Sequence, residues 1–137
     1  LQYKPFPLKV GNKTNKMAYI GVYGTLKRGQ RANGMLANSP LVGTFRVSIP
    51  FQMFNLGSFP ALIASEEEHG ITFEVYHVND DAILLQLDRY EGYPSLYQKS
   101  TIQIESSTEH GVMDVTIYTM KERETRFYTP MESGNWE

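Results

Sequence analysis

Apolar and polar positions alternate most clearly at Ile71-Thr72-Phe73-Glu74-Val75-Tyr76-His77-Val78, which predicts a half-buried strand. Tyr19-Ile20-Gly21-Val22-Tyr23 mixes aromatic and β-branched residues with small ones and predicts a strand bound for the interior. Further strands are expected over residues 41–49, where Val42, Phe45, Val47 and Ile49 alternate loosely, and over 51–54 after Pro50. Two more are expected over 97–104 and 111–118, joined by a polar turn over 105–110. Phe59-Pro60-Ala61-Leu62-Ile63 is short and apolar, and its proline disfavours a central place in a sheet. Glu66-Glu67-Glu68-His69-Gly70 reads as a solvated turn, because a run of like charges repels itself. Helical spacing is confined to a short piece over 32–37, stopped by Asn38-Ser39-Pro40, and a longer one over 82–87 capped by Asn79-Asp80. The second ends near Tyr90-Glu91-Gly92-Tyr93-Pro94, where glycine can take the left-handed conformation and proline cannot continue a helix.

With 137 residues the chain fits one domain able to bury a core. Nine Tyr, seven Phe and frequent glycine suit a compact β-rich fold with tight turns. A net charge of −2 argues against nucleic-acid binding, and the local basic density at Lys27, Arg28 and Arg31 is too short to alter that. There is no cysteine, hence no disulfide, thiol nucleophile or sulfur metal site. No apolar run approaches a membrane span and no signal-peptide core opens the chain, so no membrane partner and a cytoplasmic setting are expected. Residues 1–16 carry two prolines and four lysines without periodicity; they read as an extension, native or left over from cloning, before a single domain over 17–137 that starts at Met17. The Asn12-Lys13-Thr14 triplet in that extension fits a glycosylation acceptor and, with no secretion signal, reads as chance.

The end of the first strand is where chemistry is expected. A buried strand running into Gly24-Thr25-Leu26-Lys27-Arg28-Gly29 leaves several backbone N–H groups without ladder partners. They can meet a bound anion or carbonyl oxygen, or water in a plain strand-to-helix turn. A phosphate loop is excluded by spacing: Gln30 stands where the lysine belongs and Arg31 where the Mg²⁺-binding hydroxyl belongs. The three histidines at 69, 77 and 110 lack partners at ligand spacing, so no metal is expected. Ser58 and Ser95 lack a nucleophile-elbow context. Asp88 and Glu91 lie three apart at a helix C-terminus, on one face, where the partly negative helix end disfavours a carboxylate. That penalty, with the tyrosines and glycine-proline residues around it, would raise the pKa of Glu91 and make it a usable base; the alternative is a solvated helix-end acid. Asp88 offers itself as a control for Glu91.

Taken together, Tyr23-Gly24-Thr25-Leu26-Lys27-Arg28-Gly29-Gln30, Phe59-Pro60-Ala61-Leu62, Gly70-x-x-Phe73-Glu74-Val75-Tyr76, Leu87-Asp88-x-x-Glu91 and Leu96-Tyr97-Gln98-Lys99 resemble the γ-glutamylcyclotransferase-like family, most closely its γ-glutamylamine cyclotransferase branch. The resemblance spans roughly residues 18–120; the order and spacing of the motifs make it specific. It implies an α+β fold, a small mixed β-barrel flanked by short helices with a cavity at one mouth. It also implies an enzyme whose small-molecule γ-glutamyl substrate attacks its own γ-carbonyl through its α-amine, giving 5-oxoproline and a free amine without a cofactor. Carried over by position, Glu91 is the general acid/base; Tyr23, Gly24, Thr25 and Leu26 cradle the glutamyl group, and Tyr97 reaches a hydroxyl into the cavity. The leaving group differs across the family, and a non-catalytic binding module on the same barrel is the alternative. The resemblance leaves the oligomeric state open.

Overall fold

The computed structural model describes residues 18–106, 111–121 and 128–137. The expected extension, its glycosylation triplet and most of the turn at 105–110 lie outside them. Six strands, one α-helix and a 3-10 turn follow one another as β1 (Ala18–Val22), the 3-10 turn (Asn33–Leu36), β2 (Leu41–Asn55), β3 (Pro60–Val78), α1 (Asp81–Glu91), β4 (Tyr97–Glu105), β5 (Val112–Met120) and β6 (Thr129–Pro130). The strands make one mixed sheet in the order β4-β5-β1-β3-β2-β6. β1 runs antiparallel to β3, with Ala18 opposite Val78 and Val22 opposite Glu74. It runs parallel to β5, with Tyr19 opposite Val115 and Ile20 opposite Thr116.

The expected strands at 41–49 and 51–54 are one continuous strand, β2, with a register irregularity at Pro50. The acidic run is a correction too. Residues 66–70 belong to β3 rather than to a turn between strands. The register passes from Ile49 opposite His69 to Phe51 opposite Ala64, so β3 places residues 65–68 opposite Pro50 alone. Glu66, Glu67 and Glu68 lie in that bulge, exposed, and keep their repelling charges in water without ending the strand. Pro60 reconciles its missing N–H with a central strand by standing at the strand's first residue. The helix expected over 32–37 is a 3-10 turn.

Period two assigns β1 to two cores. Ile20 and Val22 join Leu36, Ile63, Val78, Leu87 and Met120 under α1 and the 3-10 turn. Tyr23 joins Leu62, Ile71, Phe73, Val75, Val115 and Ile117 on the other face. That face has no helix over it; the sheet curls on itself, helped by a parallel contact of Ile63 with Met120 and by Met131 and Trp136. β4 and β6 stand at opposite ends of the strand order. The α+β class therefore holds, while the described strands curl without closing into a barrel. Gly21 packs closely on β5: a Cβ there would meet Val115 Cγ1 at 2.9 Å and Ile117 Cγ2 at 3.1 Å.

α1 begins as its sequence demands, with the Asp80 carboxylate accepting from Ala82 N at 2.9 Å. Ile83, Leu84 and Leu87 turn to the core. Gly92 closes the helix at φ 69°, its N–H reaching the Arg89 and Asp88 carbonyls. Glu91 is thus the last helical residue, delivered to the end of β1.

Candidate active site

Beyond Val22 the chain leaves the ladder and turns. The three carbonyls that open the turn are used: Gly24 O accepts from Lys27 N at 3.0 Å, Thr25 O from Ala32 N at 2.9 Å and Leu26 O from Asn33 Nδ2 at 2.8 Å. The N–H groups of Gly24, Thr25 and Leu26 have no partner among the described residues. All three residues are buried. A turn with satisfied carbonyls and unpaired N–H groups presents a net positive dipole to whatever lies against it. What lies against it is a cavity of about 200 Å³, lined by Tyr23, Gly24, Thr25 and Leu26 together with Glu91, Tyr97 and others.

Three ties fix the turn. Arg28 donates its backbone N–H (2.9 Å) and its Nε (3.4 Å) to the buried Glu74 carboxylate, which also accepts from Tyr76 Oη at 2.9 Å. Lys27 Nζ donates to Asn135 Oδ1 at 2.8 Å and Trp136 O at 2.7 Å, near the C-terminus. The Thr25 hydroxyl shares a 2.7 Å hydrogen bond with the Tyr90 hydroxyl, joining the turn to α1. The local basic density seen in the sequence thus works as scaffolding at Lys27 and Arg28.

Glu91 has no hydrogen-bond partner among the described residues, and burial pushes its carboxyl up from 4.5 to about 7. Burial is the cause, and it comes from the whole fold rather than from the helix end alone. Three tyrosines feel its charge, and each hydroxyl donates elsewhere. Tyr23 donates to Tyr118 O at 2.7 Å, Tyr97 to Pro60 O at 2.9 Å and Tyr118 to Asp88 Oδ1 at 2.5 Å. Burial, then the charge of Glu91 among other acidic neighbours, pushes all three phenols above their ordinary range. With its nearby donors committed to other acceptors, the carboxylate is held basic. Asp88 points away from this role: it takes Tyr118 Oη and, at 3.0 Å, Lys99 Nζ.

All six residues singled out in the sequence border this one cavity. The Tyr97 hydroxyl is engaged with Pro60 O and so braces the wall. Arg31, Tyr90 and Tyr118 also line the cavity and were missed. Tyr118 owes its place to the parallel pairing of β5 with β1, which no local pattern announces. Arg31 stood in the sequence as a mismatch to a phosphate loop and as part of a short basic stretch.

Gly24 touches the other wall. A Cβ there would stand 2.7 Å from Pro60 Cγ and 2.8 Å from Cδ, so close packing on Pro60 and not a positive φ requires the glycine. Gly24→Val is therefore expected to displace Pro60, whose carbonyl holds Tyr97. Overpacking of this kind costs about 1–3 kcal/mol. Denaturant unfolding and ligand titration should show both a lower midpoint and weaker binding; a fully stable variant with normal binding would rule out this contact as a constraint.

A profile of the family described as gamma-glutamyl cyclotransferase, AIG2-like, matches residues 20–137. The chain belongs to this family. A γ-glutamylaminecyclotransferase of Rattus norvegicus is 39% identical over 100 residues, 64% of each chain, so the match spans just under two thirds of the rat protein. The γ-glutamylcyclotransferase family protein YtfP of Escherichia coli strain K12 is 30% identical over 118 residues, covering 85% of this chain and 94% of that protein. The crystal structure of an AIG2-like protein from Mus musculus superposes with a TM-score of 0.64 at 30% identity, over 76% of this chain and 77% of that one. No helix among the described residues is long and apolar enough to cross a membrane.

Proposed function

We propose that this chain converts a γ-glutamyl amide to 5-oxoproline and a free amine, with Glu91 carrying the proton. The observation that supports this most directly is a carboxyl raised to about 7, bare of hydrogen bonds, on the wall of the cavity that the unpaired N–H groups of Gly24, Thr25 and Leu26 also line. A free α-amine is mostly protonated at neutral pH and must lose a proton to become a nucleophile. A carboxylate with a pKa near 7 accepts that proton and remains acid enough to return it.

The steps balance without a co-reactant. The α-nitrogen forms a bond to the γ-carbon, and Glu91 takes a proton from that nitrogen. The bond from the γ-carbon to the amide nitrogen then breaks as Glu91 protonates the departing nitrogen. The enzyme's larger task is holding a flexible glutamyl chain folded on itself, where orientation contributes several kcal/mol. The turn N–H groups bind the α-carboxylate or the developing oxyanion. Incubation with a panel of γ-glutamyl compounds should yield 5-oxoproline and one equivalent of amine. Saturable binding across the panel with no 5-oxoproline would instead establish a binding module.

A further inference from the structure

The cavity's exposed lining residues are three: Arg31, Tyr90 and Leu96. They mark its mouth, whereas Gly24, Thr25 and Leu26 lie buried within. Arg31 is the one cation among the lining residues. Its Nη1 donates to Ser58 O at 3.0 Å, which anchors one corner of the guanidinium and leaves the rest of its donor fork for another acceptor. Tyr90 and Leu96, 38% and 46% exposed, supply apolar surface at the same opening.

Size decides what meets this mouth. At about 200 Å³ the cavity is smaller than the roughly 300–1,000 Å³ of pockets that enclose drug-sized ligands. It suits a compact glutamyl head and leaves the rest of a substrate outside. If Glu91 is to move the proton, the γ-carbonyl and α-amine must lie beside it, so the departing nitrogen and its substituent extend toward the opening. A substituent there meets a fixed cation next to apolar surface.

We propose that Arg31 is a specificity-determining residue that receives a carboxylate carried by the released amine. The preferred substrates are then γ-glutamyl conjugates of amino acids with apolar side chains, rather than of simple or cationic amines. This rests on the cyclotransferase reading above. Arg31 supplies a planar fork suited to a carboxylate, the Ser58 contact holds it in place, and a cationic leaving group would be repelled.

The test compares γ-glutamyl-leucine with γ-glutamyl-3-methylbutylamide, which differs by the carboxylate alone. The wild type should favour the leucine conjugate in kcat/KM by about 10–100-fold, as charge-assisted hydrogen bonds allow. Arg31→Gln should remove most of that preference, chiefly by raising KM for the leucine conjugate, and Arg31→Lys should restore part of it. Calorimetric binding of both conjugates to Glu91→Gln, with and without Arg31→Gln, reads the same contact without turnover. Equal losses on the two conjugates would overturn the proposal and place Arg31 on the glutamyl head or in the Ser58 latch. So would the absence of any preference in the wild type, or failure of both conjugates to bind. If both bind with the expected preference and no 5-oxoproline forms, the reaction assignment fails while Arg31's role stands.

Discussion

Glu91→Gln should reduce 5-oxoproline formation by about 10²–10⁴-fold, the usual cost of losing a general base, and should make the protein more stable above neutral pH. The two effects have one origin. Glutamine keeps the shape of the side chain and removes the basic oxygen. It also removes a charge that the folded protein disfavours, since the folded pKa of about 7 exceeds the ordinary 4.5. Between those values the unfolded chain has released the proton and the folded chain retains it. Stability therefore falls as pH rises from about 4.5 to about 7 and stays at the lower level above. The glutamine variant escapes that loss, so its advantage is absent below pH 4.5, grows through the interval and is complete above 7. At roughly 1.4 kcal/mol per pKa unit the gain is on the order of 1–3 kcal/mol after allowance for partial exposure. Rate assays and thermal melts between pH 4 and 8.5 test both halves. Near-normal turnover would refute Glu91 as base, and a stability gain equal at all pH values would refute burial of its charge as the cause. Asp88→Asn, attractive as a control from the sequence, breaks the Lys99 ion pair and alters the acceptor of Tyr118. The exposed Asp81, on the same helix, is the better comparison.

Gly134→Ala should be the most damaging single change outside the cavity. Gly134 has φ 63°, and a Cβ there would fall 1.9 Å from Gly70 O. Its own carbonyl accepts from Thr72 N at 2.9 Å, so the segment cannot shift without releasing β3. The next two residues hold Lys27, and Trp136 packs against the inner core. Detachment should cost about 2–4 kcal/mol, from backbone strain, overpacking and the lost bonds together. It should also raise KM for a γ-glutamyl substrate by up to about 10-fold, because the turn loses one of its ties. Chemical denaturation and steady-state kinetics measure the two. Wild-type stability would show that the close approach to Gly70 relaxes freely.

Local chemistry made much of this legible in the sequence. Alternation at 71–78, the Asp80 cap and the Gly92 stop each depend on near neighbours, and each element formed there. The turn after Val22 and the helix-end position of Glu91 were readable for the same reason. The acidic run at 66–68 misled because like charges argue for solvent, and a bulge supplies solvent without ending a strand. Nor could local pattern say that β5 lies parallel beside β1, or that Asn135 and Trp136 return to brace β1's turn. Tyr118 and Arg31 became visible only once those distant pairings were in place. The burial that raises the Glu91 carboxyl is a product of the whole fold, which a local reading of the helix end does not contain.

The place of β5 between β4 and β1 bears on how the protein is made. A ribosome delivers β1 well before its parallel neighbour, which arrives nearly a hundred residues later, with Val115 and Thr116. Until then Tyr19, Ile20 and Val22 present an unpaired apolar edge, the kind of surface that invites association with other nascent chains. The Tyr23 hydroxyl likewise waits for the Tyr118 carbonyl. Pairing so distant in sequence is slow to form. Appearance of the proposed 5-oxoproline-forming activity during refolding should thus report the last long-range step rather than the gain of secondary structure, which would make that reaction a clock for docking of β5.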